Sequence, residues 1–320
     1  MRFEPTDAMK LPRFAGVRTF MRLPHVSDLE TLKNARADFA VVGLPFDTGA
    51  SYRVGGRFGP EAIRSASALL RPYNPELDVR IFDWVHGVDY GDSPVAPGFI
   101  EDSYARMQAH LEPLHYAGIV PIGLGGDHSV VLAELRAAAA VHGKLALVHF
   151  DSHTDTWDAY WGHKYTHGTP FLRAVEEGLL DPRASTMTGM RGSLYDASDL
   201  DNARALGFSV IPMTQLRKRG IENVLQEIRA RAGSAKCFLS FDIDFIDPAY
   251  APGTGTPEVG GPTSAEGLEL VRGLTDLNFV GFDVVEVYPQ YDPAGITAEL
   301  AANVVFEMLS LLAHNKKRAA

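Results

Sequence analysis

Six short apolar runs recur along the chain, at residues 39–44, 119–124, 145–150, 208–212, 237–241 and 279–285, each with turn-forming residues close behind. They are apolar on both sides rather than alternating, which predicts strands of a parallel sheet covered from both faces. Helical patterns lie between them. Pro60 takes a favourable first-turn position for a helix running through Arg64. Helices are also predicted over 104–116 and 130–141, ending near Gly118 and Gly143, where glycine accepts a left-handed cap. Thr263 and Glu266 have capping-box spacing, and residues 298–312 read as a terminal helix. No linker or repeat divides the sequence. Strand and helix alternate throughout, so the expectation is one three-layer α/β domain with right-handed crossovers, on which residues 1–35 pack as an N-terminal extension.

In such a sheet, ligands bind beyond the carboxyl ends of the strands. The residues just after each run are polar in a particular way. Residues 119–124 lead into Gly125-Gly126-Asp127-His128-Ser129, and residues 145–150 lead into Asp151-Ser152-His153-Thr154-Asp155. Residues 237–241 lead into Asp242-Ile243-Asp244, and Asp283 and Glu286 lie at the end of the last run. If extended backbone continues past residue 150, Asp151, His153 and Asp155 share one face; if the strand has ended, they point separately into water. Gathered together, carboxylates repel and lose hydration unless a cation joins them. Asp151, Asp155, Asp242 and Asp244 with His128 and His153 are too many donors for one four-coordinate zinc, but they suit two divalent ions with bridging carboxylates. Oxygen-rich, thiolate-free ligation favours two Mn2+ per chain, with Ni2+ or Co2+ as alternatives.

A formal net charge of −10 argues against a nucleic-acid partner and leaves room for a cationic small molecule. The single cysteine, Cys237, excludes an intrachain disulfide framework and suits a reducing compartment. No apolar leader opens the chain and no uninterrupted apolar stretch reaches membrane-spanning length, so a cytoplasmic protein without a membrane partner is expected. The glycines at 123, 125 and 126 lack the Lys-Ser/Thr of a phosphate loop and are read as a tight turn delivering His128. Asp127 can serve as a helix N-cap.

The stretches GGDHS, DSHTD, THGTPF, SFDIDFIDPAYAPGTGTPE and DVVEVYP, in this order, resemble the ureohydrolase family, which includes arginase, agmatinase, guanidinobutyrase, guanidinopropionase and proclavaminate amidinohydrolase. RFGPEAIR near residue 57 is similar as well. The resemblance implies a three-layer α/β/α sandwich with a central parallel sheet, two manganese ions, and hydrolysis of a guanidino group to urea and an amine. It implies one ion held by His128, Asp151, Asp155 and Asp242, and the other by Asp151, His153, Asp242 and Asp244. His167 matches the family's mobile catalytic histidine, suited to giving a proton to the departing amine. Glu286 matches the acid that grips the guanidinium. Asp155 is grouped with these two as a catalytic candidate, and Asp283 is expected to support the site without binding metal. The family is commonly hexameric or trimeric, so a homo-oligomer is implied.

Arginases usually carry Asn where this chain has Trp157, two residues after the last Asp of DSHTD, which removes a partner for the α-carboxylate of arginine. Agmatine is the preferred substrate on this reading, its second cation lying over Trp157 or Tyr160 or near an acid. Guanidinobutyrate or guanidinopropionate, which would want a cation or a tyrosine hydroxyl, is the alternative. Trp157, Tyr160 and Trp161 are candidates for the wall of the substrate channel, or for ordinary loop packing. Ser152 and Phe245 depart from the usual pattern; Ser152 is expected to add a hydrogen bond behind the metals and Phe245 to narrow the pocket. A single-zinc deacetylase of the same fold and a non-catalytic partner subunit are the more distant alternatives.

Overall fold

Eight parallel strands form the centre of the protein in a computed structural model that describes residues 2–320. In chain order they are β1 (Phe39–Gly43), β2 (Gly87–Asp92), β3 (Val120–Leu124), β4 (Ala146–Phe150), β5 (Thr186–Thr188), β6 (Ser209–Ile211), β7 (Lys236–Asp242) and β8 (Asn278–Val285). Their order across the sheet is β2-β1-β3-β8-β7-β4-β5-β6. All six expected strands are present. β2 and β5 were not expected, because GVDYGD is broken by glycine and aspartate and TMT is three residues long.

Side chains alternate between two buried clusters, one on each face, as the pleat requires. Phe39 and Val41 point to one face while Ala40 and Val42 point to the other; Val148 and Phe150 join the first face and Leu147 the second. Helices α1 (Gly59–Ser67), α4 (Ile221–Ala232), α5 (Ser264–Arg272) and α6 (Ile296–Ala319) cover the first face. Helices α2 (Ile100–Tyr116) and α3 (Val131–His142) cover the second. The arrangement is a three-layer α/β/α sandwich around a parallel sheet.

Local chemistry explains the helix ends. Thr263 and Glu266 form the capping box at the start of α5, and Gly143 stops α3 at φ 74°. α6 is long and apolar enough to cross a membrane by length and composition, although Glu299 and Glu307 interrupt it, and 78% of its apolar window is buried within the protein. At the N-terminus, Phe20, Met21 and Leu23 are buried against α1 and the first-face cluster, whereas Met9, Phe14 and Val17 are exposed. The Phe20 amide donates to Asp89 Oδ2 at 2.8 Å, and Arg64 Nε pairs with the same oxygen at 2.8 Å.

Candidate metal centre and active-site cavity

β3, β8, β7 and β4 are neighbours at the middle of the sheet, although they are far apart in sequence. Across β4 and β7, Phe150 is in register with Phe241, so Asp151 and Asp242 leave the sheet edge side by side. Each aspartate then turns the chain on itself. Asp151 Oδ1 accepts the His153 amide at 2.6 Å, and Asp242 Oδ1 accepts the Asp244 amide at 2.8 Å, two equivalent Asx turns. β4 ends at Phe150, and Asp155 takes the left-handed region at φ 51°. The triplet is therefore gathered by a curled loop, not by an extended strand running on through it.

The six expected ligands converge. His128 Nδ1 lies 3.1 Å from Asp151 Oδ2, 2.8 Å from Asp155 Oδ2 and 3.3 Å from Asp242 Oδ2. Buried among three carboxylate oxygens, this nitrogen makes no hydrogen bond. His153 Nδ1 lies 3.4 Å from Asp151 Oδ1 and 3.1 Å from Asp244 Oδ2. Two ligand groups result, one containing His128, Asp151 and Asp155 and the other Asp151, His153 and Asp244, so Asp151 is common to both. Burial and the charges of Asp244 and Asp151 push Asp242 well above the usual carboxylate range. Burial works to raise Asp151 too, yet His149, His128 and His153 around it hold its carboxyl well below that range.

His149 was not anticipated. Its Nε2 lies 2.8 Å from Asp151 Oδ2 within the His128 group, in which Asp242 does not stand, and its ring packs 4.5 Å from that of Phe171. The signal was present in the sequence, since His149 precedes Asp151 with the same two-residue spacing. Behind His128, its Nε2 is 2.8 Å from Ser240 Oγ, and Ser240 donates to Asp283 Oδ1 at 2.8 Å. Ser240 and Asp283 are cross-strand partners on β7 and β8. Because Ser240 spends its hydrogen on Asp283, His128 Nε2 must be the donor to Ser240, so in the neutral ring Nδ1 is the unprotonated atom facing the carboxylates. Glu134 of α3 lies beside Asp283, and burial together with the charge of Asp283 raises its carboxyl well above the usual range. Asp283 thus stands behind the ligands, as expected. Ser152 does so as well, its hydroxyl donating to Asp244 Oδ1 at 2.7 Å.

Beside this cluster, His167 Nδ1 is 3.0 Å from Glu286 Oε1. Glu286 sits at φ 62°; its amide donates to Gly126 O and its Oε1 accepts the His128 amide, both at 2.8 Å. A Cβ at Gly255 would come within 2.7 Å of Glu286 Oε2, so glycine is required there for close approach. Asp127 caps the turn that starts at His128 by accepting the Ser129 amide at 3.0 Å. Burial works to lower His167, but the charge and hydrogen bond of Glu286 outweigh it and raise the ring to about 9.

A cavity of about 380 Å³ opens over these groups, with His153, Asp155, Asp242 and His167 at its base. Trp157, Tyr160 and Tyr195 form one wall, and Ser51, Thr256 and Glu258 contribute elsewhere. Two expectations are corrected. Trp161 does not line the cavity; it is 73% exposed behind Tyr160, with ring centroids 5.7 Å apart. Phe245 does not narrow the pocket, because it is fully buried between Phe150 and Phe241 at 5.2 and 5.6 Å.

A parallel sheet carrying a buried Asp/His cage at its carboxyl edge, with a histidine–glutamate pair beside it, defines a metal-dependent hydrolase of the α/β/α class. The arginase family model matches residues 37–310, and the chain belongs to the arginase family. It is 45% identical to a guanidinopropionase from Pseudomonas aeruginosa over 99% of this chain and 98% of that one. It is 44% identical to a mitochondrial agmatinase from Gallus gallus over 96% of this chain and 89% of that one. Among solved structures, proclavaminate amidinohydrolase from Streptomyces clavuligerus superposes with a TM-score of 0.89 at 42% identity, covering 95% of this chain and 99% of that one.

Proposed function

We propose that this chain hydrolyses a guanidino compound to urea and an amine, using two divalent cations held by His128, Asp151, His153, Asp155, Asp242 and Asp244. The observation that carries the reading is His128 Nδ1, buried within 2.8 to 3.3 Å of three carboxylate oxygens with no hydrogen bond to any. Such an atom fits a ligand aimed at a cation. The donor set is oxygen-rich and free of thiolate, so manganese is the metal we assign. Bound there, a metal pair supplies Lewis-acid and water-activating chemistry. The remaining work belongs to side chains. Glu286 Oε2 carries no hydrogen bond, and we assign it to the planar donor fork of a guanidinium, although the side chain is buried beside His167 and does not itself line the cavity. His167, held protonated by Glu286, supplies a proton to the departing nitrogen.

For the rest of the substrate we assign agmatine. Apart from the groups at the cavity base, Glu258 is the one acid in the lining, and among the described residues that line it none is Lys or Arg. An acid beside the rings of Trp157, Tyr160 and Tyr195 favours a cationic tail. One observation supports a guanidino acid instead: the hydroxyls of Tyr160, Tyr195 and Ser193 line the same cavity and can donate to a carboxylate. The net charge of −10 accords with the accompanying proposal that the protein has no nucleic-acid partner; a cytoplasmic location and a homo-oligomeric assembly belong to the same proposal. The test is urea release by Mn2+-loaded protein from agmatine, 4-guanidinobutyrate and 3-guanidinopropionate side by side. Preference for agmatine supports the assignment, preference for an acid moves it to the hydroxyls, and urea from none overturns it.

A further inference from the structure

Beyond β5 the chain runs through Gly189, Met190, Arg191 and Gly192 before it reaches the cavity wall at Ser193. The Arg191 guanidinium holds three carbonyls of other loops at close range. Nη2 donates to Asp244 O and Glu258 O, both at 2.7 Å, Nη1 donates to Phe245 O at 2.9 Å, and Nε donates to Glu258 O at 3.2 Å. It pairs with no carboxylate among the described residues, so its work is geometric. Residues 255–259 supply Thr256, Pro257 and Glu258 to the cavity, and among the described residues the two bonds from Arg191 to Glu258 O are the only hydrogen bonds to the backbone of that stretch. Gly192, at φ 83°, lies against the Glu258 carboxyl, which a Cβ there would approach to 2.3 Å. We infer that Arg191 is a positioning residue that fixes Glu258 at the cavity and through it selects a cationic substrate tail, an inference that rests on the agmatine assignment.

The two ends of this clamp differ. At one end, the turn at Asp244 is held without Arg191, because Asp242 Oδ1 accepts the Asp244 amide at 2.8 Å and Ser152 donates to Asp244 Oδ1 at 2.7 Å. At the other end, the backbone of Glu258 has Arg191 alone. Loss of the clamp therefore frees the Glu258 end and leaves the Asp244 end in place. A guanidinium is a rigid planar fork of five donors and can bridge several carbonyls at once, whereas the single nitrogen of lysine cannot span them. The attraction of Glu258 for a cationic tail falls with distance, and it is screened once the acid swings into solvent. The guanidino end of the substrate does not feel the change. Binding of the tail weakens equally before and during the reaction, so the loss belongs in KM and not in kcat.

Arg191→Lys keeps the charge and removes the fork. In Mn2+-loaded enzyme, KM for agmatine should rise several-fold while kcat, and KM for 4-guanidinobutyrate, stay within about twofold. Added to Glu258→Gln, the same substitution should raise KM for agmatine no more than about 1.5-fold further, because the two act through one contact. Equal losses for both substrates, a loss confined to kcat, or additive effects in the double variant overturn the inference. Should Arg191→Lys fail to fold, Gly192→Ala, which displaces the Glu258 carboxyl and leaves the clamp, must give the same split in KM between the two substrates. A further readout needs no turnover: cleavage after Glu258 by a glutamate-specific protease, followed by mass spectrometry. Arg191→Lys should speed that cut and leave the cut after the exposed Glu76 unchanged; an unchanged cut after Glu258 overturns the clamp. If Glu258→Gln leaves KM for agmatine unmoved, the agmatine assignment fails and takes the selectivity with it, and the proteolysis alone decides whether Arg191 holds the loop.

Discussion

Ser240→Ala deletes one oxygen in a fully buried position between β7 and β8. Two hydrogen bonds disappear. His128 Nε2 loses its acceptor at 2.8 Å, and Asp283 Oδ1 loses one of two donors, keeping the Phe241 amide at 3.2 Å. Stranding the buried ring N–H costs about 1–3 kcal/mol and the weaker Asp283 contact about 1 kcal/mol, so folding should lose about 2–4 kcal/mol. One deleted oxygen leaves too little room for a substituting water. That loss is large against the ~5–15 kcal/mol by which ordinary domains are stable. The more specific effect is on metal. Ser240 keeps the His128 proton on Nε2, so its removal frees the ring to protonate Nδ1 instead, and affinity at the His128 site should fall roughly 10- to 100-fold. The other site, which does not use His128, should change much less. Urea denaturation of metal-free protein measures the first effect and calorimetric Mn2+ titration the second. Equal affinity of both sites for Mn2+ in variant and wild type would refute the tautomer argument, whatever happens to stability.

Asp151→Asn should weaken both metal sites, because Asp151 is common to both ligand groups; metal content after gel filtration checks this, and retention of both ions with full activity would count against sharing. His167→Ala should cut urea release at least about 10²-fold while two ions stay bound, separating proton transfer from metal binding. With His167 raised to about 9, kcat/KM should decline as pH rises through that value, as the protonated acid is lost. A folded value above the unfolded one, about 6.5, stabilises fully below 6.5 and loses that contribution as pH climbs to 9, so the melting deficit of His167→Ala should shrink between pH 6 and pH 9.5. Glu258→Gln should raise KM for agmatine several-fold and leave guanidinobutyrate little changed if the cavity takes a cationic tail.

Apolar continuity was enough to find strands such as β4 and β7, because buried parallel strands need apolar residues on both faces. It could not find β5, whose three residues include two threonines, or β2, which ends in glycine and aspartate. Ligand candidates were legible because they come directly after strands that a parallel sheet must align at one edge. Their supports were harder to see. Glu134 sits in an alanine-rich helix with no local sign that Asp283 waits beside it, and Arg191 lies in a loop 53 residues before the Asp244 carbonyl it holds. Trp161 misled because neighbouring aromatics in a loop need not share a face; it sits at φ 52°, with its ring beside Tyr160 and outside the cavity.

Asp151 and Asp242 do two jobs that cannot be separated. Each ends a strand by capping the amide two residues ahead, and each offers its second oxygen to the same buried nitrogen of His128. The spacing between them is set by the pairing of Phe150 with Phe241, which is a matter of core packing. A slip of one residue in that pairing would bury the wrong faces of both strands, so the core that excludes the slip also sets the geometry of the cage. Repulsion among the carboxylates then acts on a framework that is already rigid. The cluster cannot relax by spreading, so its charge is offset either by protons, as the raised Asp242 shows, or by a bound cation.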